Sequence, residues 1–399
     1  MRWGVLLVLG ACAGPAAEEP DDELAWPEAG PPARCPAWAA AVVGGVGYAS
    51  VQGAIDDAFG APVTVCRGTR QVNLRHRSSD PLYLQGETSR WSDTVLDGGL
   101  AGPVLAGDAS ITTQALYIRN LAIVDGAGAV GPPLAGDTAG GVTLNSVDGS
   151  LYLDHVAFRG NTSPGSGGAV ASRARRVVMR AVILDHNRAG NCGGGAYLNP
   201  QRGAITLRDV RFLGNEAALN CGGLGLTAGE LFGPSPGGID VLVEGGELSD
   251  NRADAGAGAW VDLVTTGAVT FRGVTVAGNA AATSYGGLNL QGFGGAGRSF
   301  TLEDVRLIDN EAPSLGALSL VGLSPVNVQT FDVAGGEITS NRSGGDGAIH
   351  LAGRARAVLT DVDLGAGPTD NDHDVGGCGA GLGAGTSGVI DPAAGDRCP

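Results

Sequence analysis

Seven times between Leu151 and Asn341 an asparagine is preceded by apolar residues at minus 10, minus 8, minus 5 and minus 3. Ile205, Leu207, Val210 and Phe212 lead to Asn215; Val269, Phe271, Val274 and Val276 lead to Asn279; Phe300, Leu302, Val305 and Leu307 lead to Asn310. The same frame stands before Asn161, Asn187, Asn251 and Asn341. Of these 28 positions 26 are apolar, and the other two are Gly246 and Gly336. A unit of this size cannot bury its apolar face alone, so it stacks on its neighbours and the chain is a solenoid.

The spacing inside the unit sets its geometry. Residues two apart point to one side of a strand, so each apolar pair marks a short strand with one buried face. The step of three between the pairs, filled by Arg208-Asp209 or Glu303-Asp304, breaks the alternation and predicts a bend. The asparagine then stands at a turn, a glycine-rich corner follows, and a third alternation such as Leu224-Leu226 or Leu288-Leu290 completes the coil. Three short strands per coil predict an all-β parallel β-helix. The anchors lie 26, 28, 36, 28, 31 and 31 residues apart. Degenerate coils flank them, Leu116-Ile118-Leu121-Ile123 before Gly126 and Ala357-Leu359-Val362-Leu364 before Gly367, each with glycine in the asparagine's place. Nine such rungs stack to roughly 40 Å at about 4.8 Å each.

A row of identical amides resembles a binding strip, but structure accounts for it. Asparagine tolerates left-handed backbone at a tight turn, and stacked amides hydrogen-bond in a ladder. The sequons at Asn161 and Asn341 fall on these anchors and are accidents of the repeat.

Lysine is absent, so all 25 basic residues are arginine, which removes Schiff-base chemistry and phosphate-loop lysines. A net charge of −16 argues against nucleic acid as a partner. No stretch is long and apolar enough to span a bilayer as a helix.

Met1-Arg2 is a basic start, Trp3 to Leu9 an apolar core, and Leu9-Gly10-Ala11-Cys12 closes it. This resembles the lipobox of bacterial lipoproteins, which implies a signal peptide over 1–11, lipid on Cys12 and a membrane anchored through it. Residues 12–34 then read as an acidic, proline-rich tether, with six acids and no bases from Ala13 to Pro32. Ala13 beside the cysteine implies outer-membrane sorting, with the protein periplasmic or on the cell surface. The six remaining cysteines suit an oxidising compartment. Cys192 and Cys221 follow Asn187 and Asn215 by five and six residues, each before Gly-Gly, and so share one corner of consecutive coils. Cys35 with Cys66 would staple the N-terminal end and Cys378 with Cys398 the C-terminal end.

Residues 35–72 read as a cap. Ser50 can cap a short helix whose Val51, Ile55, Ala58 and Phe59 share a face and which ends at Gly60. Val63 to Gly68 is a strand and turn. The helical body runs over 73–367, and 368–399 is a disulfide-stapled tail. The helix–strand–turn entry, followed by Thr94-Val95-Leu96-Asp97-Gly98-Gly99, resembles pectin-lyase-like right-handed β-helix proteins. The repeats are similar to those of polymorphic outer-membrane proteins, which pair Phe-x-x-Asn with Gly-Gly-Ala-aliphatic. Phe158-Arg159-Gly160-Asn161 before Gly167-Gly168-Ala169-Val170 is a full match. The resemblance implies a right-handed parallel β-helix solenoid with a short N-terminal capping helix. It does not imply one function, since that superfamily hosts lyases, hydrolases, adhesins and stalks.

Candidate chemistry is sparse. The outward slot at minus 7 runs Asp154, Arg180, Arg208, Glu244, Arg272, Glu303 and reads as rungs pairing their surface charges. Asp250 and Asp309, two rungs apart before their anchors, are the best carboxylate pair for an inverting hydrolase, but aspartate is a common turn residue and the Asp-Asp and Gly-His-Gly signatures of β-helix pectin hydrolases are missing. Asp154-His155 and Asp185-His186 lack a serine elbow. Asp370, Asp372 and Asp374 alternate as in a calcium loop, without the closing glutamate. Tyr197 and Trp260 should point outward from the third strand, with Phe232, Tyr285 and Phe293 near them in loops, notably Thr227 to Gly238 and Gln291 to Arg298. Aromatic rings on a flat sheet suit sugars. The expectation is a monomeric, non-catalytic surface lipoprotein, an adhesin or glycan binder with a polysaccharide or cell-surface partner. The alternatives are a polysaccharide lyase or glycoside hydrolase, and a passive stalk.

Overall fold

The computed structural model describes residues 32–129, 138–229, 237–293, 297–314, 316–324, 327–344, 348–365 and 371, and the backbone of 386–390. Cys12, Phe232, Asp370, Asp372, Asp374, Cys378 and Cys398 lie outside the described residues.

The chain is an all-β parallel solenoid of about nine turns. The coil that opens at Gly203–Arg208 shows the plan. That strand is followed by Arg211–Leu213, then Glu216–Ala217, then Leu224–Ala228. Each pairs in parallel with its counterpart in the next coil: Ile205 with Val241, Phe212 with Leu248, Leu224 with Ala259. A coil therefore carries four strands, not the three that alternation predicts. The extra one, two to five residues long, comes directly after the asparagine and builds a seven-stranded sheet. Its inward side chains are small (Ala189, Ala217, Ala253 and Ala281), which leaves no apolar signal to detect.

Phe158 and Phe212 at minus 3, Phe271 at minus 8, and Phe300 and Phe331 at minus 10 are fully buried and fill the tube with the aliphatic rungs. The predicted ladder forms. Asn215 donates its backbone N–H and its side-chain N–H to Asn251 Oδ1, both at 3.0 Å, and its second amide hydrogen to the Leu184 carbonyl at 2.9 Å. Asn187 treats Asn215 in the same way, and the pattern runs from Asn161 to Asn341. Every donor and acceptor of these buried amides is used, which is what burial of an amide requires.

Two details differ from the sequence reading. No anchor asparagine adopts a positive φ; the residue before it does, as at His186 (52°), Gly214 (58°), Asp250 (57°), Gly278 (64°) and Asp309 (53°). The asparagine is selected for its amide, and the left-handed corner falls on its neighbour. A second left-handed corner stands at minus 6, at His155, Asp209 and Asp304 among others, and forms the bend between the paired strands. The ladder also continues past its expected end. Asn371 stands four residues beyond Gly367 and still receives Asn341. At the other end Gly126 holds the asparagine's place and donates its N–H to Asn161 Oδ1 at 3.0 Å.

The helix Val51–Asp56 is present, and the Ser50 hydroxyl accepts from the Gly53 N–H at 3.1 Å. Val51, Ala54, Ile55 and Ala58 join the main core and cover its open end. Phe59 does not share that face. The helix has ended at Asp57, and Phe59, at φ 44°, is 80% exposed. The large sheet meets antiparallel strands at both ends: Ala41–Val43 pairs with Val46–Tyr48 and Val63–Val65, and Thr386–Ile390 pairs with Ala355–Val362. Antiparallel returns of this kind shield the last parallel rungs from pairing with another chain.

Candidate functional site

The ten-stranded sheet carries the outward aromatics. On its strands Ala196, Leu198, Leu224, Leu226, Ala259 and Val261 are buried in the core. The residues between them therefore face out. Register places Tyr197 beside Gly225 and Gly225 beside Trp260, so the two rings stand two rungs apart in one column with a glycine between them.

That glycine makes room for a disulfide. Cys192 and Cys221 are bonded, with Cα atoms 4.9 Å apart. A β-carbon on Gly225 would lie 3.1 Å from Cys221 Sγ and closer still to Cys192 Sγ. The sulfurs thus cover the sheet where Gly225 leaves it bare. A cavity of about 210 Å³ opens here, lined by the disulfide, Tyr197, Trp260, Asp262, Thr227 and the amides of Asn191 and Asn220 among others. It is smaller than the roughly 300–1,000 Å³ of drug-sized pockets, so it suits one ring or one small head group.

Asp262 is the group that sequence reading missed. It follows Trp260 on the outward face of the same strand, and its Oδ1 accepts the Trp260 indole N–H at 2.8 Å. Burial pushes its carboxyl up to about 6, against the pull of that hydrogen bond. Its neighbours in register, Thr227 and Gln291, are neutral. Tyr285, which has φ 63°, meets Trp260 edge-on at 5.3 Å and holds the indole from the side. The strands run on to Ala228 and Gly292, so Thr227 and Gln291 are strand residues and the loops after them are shorter than expected.

The other candidates sit at corners and in ion pairs of the scaffold. Arg180 pairs with Asp154 at 3.0 Å, and Arg208, Glu244, Arg272 and Glu303 form one chain of ion pairs at 3.1, 3.4 and 2.6 Å. A wider trough of about 500 Å³ lies on this face, but its Arg208 and Arg272 are already in that chain and Arg176 sits over the Tyr152 ring. Asp250 and Asp309 are both left-handed corners, and Asp250 Oδ1 lies over Gly278 of the next rung. His155 and His186 are also corners, exposed, each bonded through Nδ1 to the aspartate before it. Asn161 and Asn341 are at most 2% exposed, their amides spent in the ladder. The Cys35–Cys66 disulfide is present, with Cα atoms 5.6 Å apart. Among the described residues no group of three His, Cys, Asp or Glu could hold a metal ion. Within Asp370 to Asp374, Asn371 is buried and its amide belongs to the ladder.

A tyrosine stack went unnoticed in the sequence. Tyr83, Tyr117 and Tyr152 lie ring on ring, with centroids 4.6 and 4.5 Å apart. Their faces are spent on one another, so this is packing and not a platform. The three stand in one outward column, a coincidence of register that coil-to-coil stacking decides.

Comparison with known protein families, with curated proteins and with solved structures finds no match to this chain.

Proposed function

We propose that this protein is a non-catalytic, sugar-recognising surface lipoprotein, anchored to a bacterial outer membrane through lipid on Cys12. The solenoid in this reading is a right-handed β-helix of the pectin-lyase-like kind, and it presents the slot of the ten-stranded sheet to a polysaccharide or cell-surface glycan. The observation that carries the proposal is the outward pair Tyr197 and Trp260 flanking Gly225 and the disulfide, with Asp262 and two amides around one small cavity. Rings supply apolar faces for a sugar, and amides and a carboxylate supply the directional bonds that orient it. On the large sheet Arg208, Glu244, Arg272 and Glu303 are engaged in ion pairs with one another, which supports recognition here and not there.

The test is a glycan array probed with the oxidised full chain, with and without calcium, the bound glycans then being recovered intact or cleaved. Saturable binding of intact ligand, weakened about ten-fold or more by Trp260→Ala, is the expected result. A blank array removes the proposal and leaves a spacer. New reducing ends without unsaturation would return the role to Asp250 and Asp309, unsaturated ends would mean a lyase, and either would make the protein a polysaccharide-active enzyme.

A further inference from the structure

Asp262 is a half-buried carboxylate without a counter-ion. None of the ion pairs of the described residues includes it, and its one side-chain hydrogen bond comes from the neutral Trp260 indole. No arginine lines the cavity, and the residues flanking Asp262 on the adjacent strands are Thr227 and Gln291. Buried charges in folded proteins are normally paired, because an isolated one forfeits its hydration with nothing in return. Here the unpaired charge opens on a cavity bordered by Trp260 and Tyr197, whose ring faces attract cations. A divalent metal is a poor fit, since one carboxylate does not make a calcium or zinc shell.

We propose that the slot takes an organic ammonium group, so that the glycan unit it recognises is an amino sugar with a free amine. This rests on the sugar-binding reading of the same slot. The ammonium would pair with the free oxygen of Asp262 while Trp260 and Tyr197 flank its apolar surroundings. Thr227, Asn191 and Asn220 remain for the ring hydroxyls. An acidic sugar is excluded on the same grounds, because it would bring a second negative charge to a site with no cation.

The experiment titrates the oxidised full chain at about pH 7 with glucosamine, N-acetylglucosamine, glucose, glucuronate and choline, by calorimetry. It is repeated on Asp262→Asn, which keeps the side-chain shape and removes the charge. Glucosamine is expected to bind about ten-fold tighter than N-acetylglucosamine or glucose, and Asp262→Asn to erase the difference while leaving the fold intact. Binding should also weaken as the pH falls below about 6, where Asp262 takes up its proton. N-acetylglucosamine, glucose or glucuronate binding as well as glucosamine overturns the ammonium inference and leaves the sugar reading standing. Choline binding without any sugar keeps the ammonium and overturns the sugar. No binding at all overturns both.

Discussion

The side-chain oxygen of Asn371 accepts both the backbone N–H of Asn341, at 3.0 Å, and its amide N–H, at 3.1 Å. Asn371 in turn donates to the carbonyls of Ile338 and Leu364, so the last amide of the ladder is as fully bonded as those in the middle. The link holds although four extra residues separate Asn371 from the frame set by the preceding apolar positions.

The ladder's contribution is therefore measurable at its middle and at its end. Asn215→Ala strands the two donors of Asn187 as well as the Leu184 carbonyl and one lone pair of Asn251. Each buried group left unpaired costs about 1–3 kcal/mol, so the variant should lose about 3 kcal/mol or more in urea unfolding. Asn371→Ala strands as many groups, the two donors of Asn341 and the carbonyls of Ile338 and Leu364, and should lose a similar amount. A much smaller loss at Asn371 would mean that its bonds do not act as those in the middle of the ladder do.

Gly225 and the Cys192–Cys221 disulfide occupy the same space on the sheet's outer face. Gly225→Ala should displace the sulfurs or keep the bond from closing, at a cost of about 1–3 kcal/mol. Thiol titration of the unfolded, non-reduced protein should then show two reactive thiols in a fraction of the molecules, where the wild type shows none from this pair. A variant with the disulfide fully formed and unchanged stability would contradict the close approach of that β-carbon to the sulfurs.

Asp262 links stability to pH. Its folded value is raised to about 6 from the ordinary carboxylate value of 3.8, so the folded protein holds this proton more tightly than the unfolded chain does. Its contribution is fully present below about pH 3.8, declines between there and about 6, and stays lost above. Asp262→Asn should remove that decline. Relative to wild type the variant should gain up to about 3 kcal/mol above pH 6, at about 1.4 kcal/mol per pKa unit. Urea midpoints of both proteins from pH 4 to 8 give the difference curve, and a flat one would show that the carboxyl is not raised.

Asp250 stands at a left-handed corner where the neighbouring coils have Gly214 and Gly278. A left-handed non-glycine residue costs about 1 kcal/mol, so Asp250→Gly should be neutral or stabilise by up to that amount. The same change should leave glycan binding untouched. Loss of ligand turnover or binding in this variant would give Asp250 a chemical role that its place at a corner does not.

The reach of the sequence can be judged from particular residues. The alternation of Ile205, Leu207, Val210 and Phe212 before Asn215 determined by itself that the chain forms short strands with one buried face, that the asparagine is structural, and that Cys192 and Cys221 share a corner. Those are consequences of spacing along one coil, where pleat and bend are local. Tyr197 and Trp260 facing outward follow from the same alternation. The tertiary structure alone decided which residues stand over one another from coil to coil. Register depends on the length of every intervening turn, and these range from 26 to 36 residues between anchors. Thus the stack of Tyr83, Tyr117 and Tyr152, the reach of Asn341 to Asn371, and the fit of the disulfide over Gly225 could not be read from spacing. The isolation of Asp262 belongs with them. Its carboxylate is unpaired because Thr227 and Gln291 lie beside it across two coil boundaries, and a charge's partners are set by neighbours in space.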